Sequence, residues 1–350
     1  MKFLIDTLGA PALSGGMRLY AEELINSWSE AFPDDELVVI GGAWTRGALQ
    51  DLPNVRVVVW ANDSAPLRMF GQLVVSGVLF WALRARVLVS VSSIASPLAP
   101  KDRRVCVVHD WRHMRNESEF GALQLAYRRL WTMSLNRAGA TVSISAKTDT
   151  ETAEYAPRAH RFVVENGRDH ARRWIPAVAR RGESDSKHIV TFGHHLNKRP
   201  DLVIRALAEM PIPARPQLTV LGARGETKTT LEKLARELGV AESCIFPGFV
   251  ESDEYNSLIQ TADAVVLASS DEGFGLPVAE AQYFGIPVVS TSDSGLDEIH
   301  AGLFVSEPDP ANLAAAIQLA VQSRGAATGV VAGGTWAETA SGIRRIALRA

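Results

Sequence analysis

The stretch Asp271-Glu272-Gly273-Phe274-Gly275-Leu276-Pro277-Val278-Ala279-Glu280-Ala281 decides how the rest of the chain is read. Just before it, residues 264–267 (Ala-Val-Val-Leu) form a continuous apolar run, the pattern of a strand covered on both faces. The loop therefore leaves the carboxyl end of a strand, where parallel α/β sheets bind their ligands. Gly273 and Gly275 permit positive φ and close approach of backbone to a ligand. Pro277 suits the start of a helix whose free amides and positive dipole end favour an anion such as a diphosphate. Glu272 in the loop and Glu280 in the helix add two carboxylates able to accept hydrogen bonds from vicinal hydroxyls. Taken alone, the glycines also fit a simple turn and Glu280 a dipole-balancing role. Gly285-Ile286-Pro287-Val288-Val289 downstream makes the whole string more specific.

Working outward, short β-branched runs alternate with helical stretches. Strands are expected at 3–6, 37–40, 55–59, 87–91, 105–108, 141–144 and 161–164, with helices at 17–30 and 119–138. A polar stretch at 180–187 reads as a linker. The pattern then restarts with strands at 188–192, 218–221, 244–246, 264–267, 288–290 and 303–305, and helices at 229–238 and 252–261. Two successive parallel sheets imply two Rossmann-like domains facing across a cleft, 1–182 and 183–334. Residues 323–334, rich in Gly and Ala, read as loosely ordered. A last helix over 335–350, opened by the capping box Thr335-Trp336-Ala337-Glu338, is expected to pack back on the first domain.

Composition agrees with a soluble globular chain: 350 residues, 47% hydrophobic and 21% charged. The two cysteines, Cys106 and Cys244, read as free thiols in a reducing, cytoplasmic compartment. Asp6 interrupts the apolar stretch that a leader peptide would need. The net charge of −3 conceals a first half (1–180) at +4 and a remainder at −7, which turns the first half toward anionic partners. No basic cluster is interleaved with aromatics, so nucleic acid is not an expected partner. The stretch 66–86 is apolar on nearly every side; it reads first as a buried core helix. A monotopic surface, a peripheral membrane contact at the inner face, is the alternative.

On these residues the chain resembles the retaining group 1 glycosyltransferases of GT-B fold, whose E-x(7)-E motif is matched by Glu272 and Glu280. The resemblance implies that Glu272 contacts the hydroxyls of the transferred sugar and Glu280 the nucleotide ribose. The amides at Phe274, Gly275 and Leu276 then meet sugar and diphosphate. In Gly193-His194-His195-Leu196-Asn197-Lys198-Arg199-Pro200, Lys198 fits the family's phosphate-binding lysine. His194 replaces the usual arginine, with Arg199 as a stand-in. His109, after Val107-Val108, resembles the histidine beside the donor sugar, with Asp110 orienting it or fixing the next loop. Gly15-Gly16 resembles the glycine-rich first loop near diphosphate and acceptor. Asn166-Gly167 reads as a turn and Ser145 as a helix cap. His109 and His113 stand four apart, but no third ligand set accompanies them, so no metal site is expected.

The resemblance implies retention of anomeric configuration. No carboxylate nucleophile stands out in the first domain, so a metal-independent front-face route follows, resting on positioning and charge stabilisation. A nucleotide-diphosphate sugar is the donor substrate, no separate cofactor is expected, and mannose on GDP is the first candidate. A glycan or lipid-linked acceptor, and a role in polysaccharide biosynthesis, come from the family's range. A dinucleotide dehydrogenase lacks its G-x-G-x-x-G after the first strand. A non-catalytic sugar-nucleotide-binding protein and a sugar-nucleotide epimerase remain as rivals.

Overall fold

The computed structural model describes residues 1–12, 14–60, 64–115, 121–177, 187–325 and 334–349. Two compact units divide the chain: residues 1–167 with 334–350, and residues 168–333.

The first unit holds seven parallel strands: β1 (Lys2–Asp6), β2 (Glu36–Gly41), β3 (Val55–Val59), β4 (Val87–Ser90), β5 (Arg104–Val108), β6 (Ala140–Ser143) and β7 (Arg161–Val163). Their order is β3-β2-β1-β4-β5-β6-β7. Chain direction across the sheet reverses between β1 and β4, in register Asp6 with Ser90. The central strands are buried along almost their whole length, which is why they read as unbroken apolar runs. Helix Gly16–Ala31 covers this sheet with Trp28, Leu24 and Tyr20 fully buried.

Helix Trp336–Arg349 also belongs to this unit. Its capping box is formed: the Glu338 amide donates to Thr335 Oγ1 at 3.2 Å, and the Thr335 amide to Glu338 Oε2 at 2.7 Å. Trp336 packs edge-on against Tyr20 at 5.6 Å, and Arg344 pairs with buried Asp35 at 2.5 Å.

The second unit holds β8 (His188–Phe192), β9 (Gln217–Leu221), β10 (Cys244–Gly248), β11 (Ala264–Leu267), β12 (Val288–Thr291) and β13 (Phe304–Ser306), all parallel. The order β10-β9-β8-β11-β12-β13 puts its reversal between β8 and β11. Each reversal opens a crevice at the carboxyl ends of the strands, the standard ligand position of such sheets.

Two expectations need correction, and two others are not tested. The division falls after Gly167 rather than at 182, because residues 168–177 pack on second-unit elements. Arg168 donates to Ile299 O at 2.8 Å, Trp174 stacks on Phe284 at 5.6 Å, and the Ala177 amide donates to Gln260. The linker expected at 180–187 lies outside the described residues except for Lys187, and most of the 323–334 stretch does likewise. The second correction concerns the apolar stretch 66–86. It forms one continuous helix, Ala65–Ala82, with a wider π turn at Gly71–Val75, yet only 28% of it is buried. It is not buried all round: Phe80 joins the core, the rest of its buried face is Gly71, Gln72, Ser76 and Gly77, and the opposite face is exposed.

Candidate functional site

In the second unit, the loops after β8 and β11 meet at the reversal point. Asn197 stitches them: its carbonyl accepts from the Ser270 amide at 2.9 Å, and its side-chain amide donates to Asp271 O at 3.1 Å. Lys198 follows directly, and its ammonium forms an ion pair with Glu272. Both side chains are only 11–12% exposed. Ser269 Oγ donates to the same Glu272 oxygen at 2.6 Å. Lys198 and Glu272, 74 residues apart in sequence, therefore share one point. The helix Leu276–Tyr283 starts immediately beyond, with Pro277 and no acidic side chain in its first turn, and with the Val278 amide donating to Gly275 O at 2.9 Å.

Gly275, at φ +79°, caps this helix, and an added Cβ would lie 2.4 Å from Leu296 Cδ2. Gly273 does not use the positive φ open to it. Leu276, the first helical residue, is half-buried, whereas Phe274 is buried. The Phe274 carbonyl accepts from His300 Nε2 at 2.5 Å. Arg168 donates to His300 Nδ1 at 2.7 Å and lies over the Phe274 ring at 5.2 Å. These partners fix the tautomer: Nε2 carries the proton and Nδ1 accepts. Burial, reinforced by Arg168, brings the His300 pKa down to about 4, so the ring is neutral.

Glu280 is 3% exposed, so it is not displayed as a free carboxylate as expected. One oxygen bonds His170 Nε2 at 3.0 Å and the other accepts from the Tyr255 hydroxyl. Burial, then the adjacent Glu280 charge, pushes the Tyr255 hydroxyl well above its ordinary pKa, so it stays a donor. Trp174 packs edge-on against both His170 (6.2 Å) and Tyr255 (5.9 Å), holding the pair in place.

Arg199, expected as a substitute phosphate cation, is a strut instead. Its guanidinium donates to Ala268 O (2.6 Å), Ser269 O (3.1 Å), Thr291 Oγ1 (2.9 Å) and both Asp293 oxygens (2.7 and 2.9 Å). Its backbone is left-handed, φ +45°, a costly conformation for a residue with a Cβ. The bonds across β11 and β12 offset that cost. His194 is exposed at the end of β8, with its Cβ facing Gly222 and its ring edge against His195 at 4.8 Å.

In the first unit, His109 follows β5 and is half-buried. Its Nε2 donates to Val91 O at 2.8 Å and it packs edge-on against Tyr20 at 4.8 Å, leaving Nδ1 as the acceptor. Burial lowers its pKa against the weaker opposing pull of that bond and of Asp110, so the imidazole is neutral at neutral pH. Asp110 accepts from the Arg112 amide at 3.1 Å and so fixes the following loop. His113 turns away into an aromatic cluster with Trp111 and Trp131. Gly15 holds φ +51° just before helix Gly16–Ala31. Ser145 Oγ caps helix Ala146–Tyr155 through the Thr148 amide at 3.1 Å. Gly167 does more than turn the chain: a Cβ there would sit 2.3 Å from the Trp336 amide nitrogen.

Sequence reasoning missed His170, Tyr255, Arg168 and His300. Nothing in their spacing announces them, because residues 168–174 meet 280 and 300 only through folding of the second unit.

A profile of the family described as glycosyl transferases group 1 matches residues 179–329. The chain is 34% identical over 139 residues to an uncharacterized glycosyltransferase, MJ1607, of Methanocaldococcus jannaschii, covering 38% of this chain and 35% of that protein. It is 33% identical over 168 residues to a D-inositol 3-phosphate glycosyltransferase of Frankia alni, covering 42% and 41%. The matched stretches thus span well under half the length of these relatives. Among solved structures, sucrose-phosphate synthase from Thermosynechococcus elongatus superposes with a TM-score of 0.72 at 17% identity, over 99% of this chain and 96% of that one. That likeness establishes the fold across both units. The likeness to the group 1 glycosyl transferases thus lies in the second unit, and the two parallel-sheet units have the GT-B fold.

Proposed function

We propose that this chain is a retaining glycosyltransferase that moves a hexosyl group from a nucleotide-diphosphate sugar to a hydroxyl of a glycan or lipid-linked acceptor. The observation that carries the reading is the meeting of Lys198 and Glu272 beside the amino end of helix Leu276–Tyr283. A compact cation and backbone amides suit a diphosphate, and a carboxylate suits sugar hydroxyls. On donor binding, phosphate oxygens replace Glu272 as the partner of Lys198, which frees Glu272 for the sugar. Glu280 reaches the ribose through lone pairs not used by His170 and Tyr255, since each carboxylate oxygen has two.

In the transfer, the acceptor oxygen bonds to the anomeric carbon on the face from which the diphosphate departs. The bond from that carbon to the phosphate oxygen breaks with its electron pair on oxygen, and that oxygen takes the acceptor proton. Lys198 and the helix amides stabilise the charge that develops on the diphosphate. His109, being neutral with Nε2 engaged by Val91, serves as a hydrogen-bond acceptor through Nδ1 and not as an acid.

The test is nucleotide release and glycoside formation by purified protein given GDP-mannose, then UDP- and dTDP-hexoses, with inositol phosphate among the acceptors. Thermal shift with GDP, UDP, ADP and dTDP selects the base; a nucleotide at about 100 times its Kd adds roughly 2.7 kcal/mol. Stabilisation without release or transfer indicates a binding protein, and conversion of the donor sugar to its epimer indicates an epimerase. Either result overturns the proposal.

A further inference from the structure

Helix Ala65–Ala82 buries Gly71, Gln72, Ser76, Gly77 and Phe80 and turns a stripe of apolar side chains outward. Its inward positions 72 and 76 are polar and fully buried. Gln72 Nε2 donates to Ser92 Oγ at 2.9 Å, the Tyr127 hydroxyl donates to Gln72 Oε1 at 2.7 Å, and Ser76 Oγ donates to Gln72 O at 2.9 Å. Gly71 and Gly77 are buried on the same side, where a Cβ would come within 2.6 Å of Leu8 and 2.3 Å of Ser96. The outward stripe is apolar: Leu67, Phe70, Val78 and Trp81, at spacings that place them on one helical face, are 47–57% exposed. Leu98, 49% exposed, extends it, because Trp81 Nε1 donates to Leu98 O at 2.9 Å. Ordinary surface helices have the opposite polarity, and contiguous exposed apolar patches mark an interaction site.

The charges around this patch select the partner. From residue 64 to residue 101 the chain contains Arg68, Arg84, Arg86 and Lys101 and not one Asp or Glu. Arg84, Arg86 and Lys101 are exposed beyond the helix's carboxyl end, and Arg103 lies over the Phe80 ring at 5.5 Å. Aromatic and aliphatic side chains with cations outnumbering the single exposed carboxylate at that margin, Asp102, fit an anionic bilayer surface. The helix is long and apolar enough to cross a membrane by length and composition. Its anchors to Ser92, Ser96 and Tyr127 hold it against the first unit, so it lies in the interface and does not span.

We propose that the outward face of Ala65–Ala82, with Leu98, is a monotopic docking surface for anionic membranes. The proposal stands apart from the transfer reading, because its test uses no sugar donor. The full chain is floated with vesicles of phosphatidylcholine alone and of phosphatidylcholine mixed with phosphatidylglycerol. The wild type is expected to co-float with the mixed vesicles. The exposed double change Phe70→Ser with Trp81→Ser should cut partitioning at least tenfold with an unchanged melting temperature. Arg84→Glu with Arg86→Glu should abolish the preference for the anionic lipid. Failure of the wild type to co-float, or co-flotation indifferent to both variants, overturns the proposal. So does a wild-type dimer that the Phe70/Trp81 variant splits, since a second copy then covers the patch.

Discussion

Lys198 and Glu272 neutralise each other in the absence of a donor, and that pairing gives the lysine a sharp test. Lys198→Ala is expected to lower kcat by about 10²–10³, the range seen when a preorganised group facing developing charge is removed. Single-turnover donor cleavage measures it, and near-normal turnover removes Lys198 from the chemistry. Tyr255 acts one step back. By holding Glu280 it is a positioning residue, and Tyr255→Phe removes one hydrogen bond from a buried carboxylate. The donor KM should rise roughly 3–10-fold with kcat little changed, matching about 1 kcal/mol for one bond. A fall in melting temperature with an unchanged KM assigns Tyr255 to structure alone. Glu272 and Lys198 were legible in the sequence because a loop glycine, a proline and flanking strands announce them. Arg199 was misread because a guanidinium beside a phosphate-binding lysine looks the same in sequence whether it faces a ligand or braces two loops. Only its five contacts across β11 and β12 distinguish these.

The elements themselves follow local chemistry. All thirteen strands fall where β-branched runs were read, with ends moved by one or two residues. The helix expected at 119–138 is described over Ala122–Leu135, and the one expected at 229–238 begins four residues earlier, at Gly225. Frayed ends of this size are ordinary. Contacts between elements were not legible. Helix Trp336–Arg349 approaches so closely that position 167 has no room for a side chain. Gly167→Ala should therefore destabilise by roughly 2 kcal/mol or more, as overpacking against backbone does. Thermal melts measure this, and an unchanged melting temperature means that the helix retreats without cost. The helix Ala65–Ala82 shows the same limit from the other side. Its apolar composition suggested a core element, while the buried face is set by which of its few polar residues find partners on the sheet.

At the scale of the whole molecule, stability should carry a pH dependence traceable to Asp6. This carboxyl is fully buried at the end of β1, and desolvation pushes its pKa up to about 7 against the bond from the Leu8 amide. One of its oxygens has no partner. Between the unfolded value of 3.8 and about 7, the folded state holds a proton that the unfolded state has lost. Stability from this group is therefore full below 3.8 and is lost as pH rises through 7, a cost of at most about 4 kcal/mol. Asp6→Asn should raise the melting temperature at pH 8, with the gain fading toward pH 4; a pH-independent difference refutes the shifted titration. Sequence by itself determined the two parallel sheets, the strand positions and the loop that carries Glu272, because these depend on periodicity and on residues adjacent in the chain. Tertiary structure alone decided that 168–177 joins the second unit, that Glu280 is held by His170 and Tyr255, and that an apolar helix faces outward. Those outcomes turn on which distant groups satisfy each other's hydrogen bonds once water is excluded, and no local pattern encodes that choice.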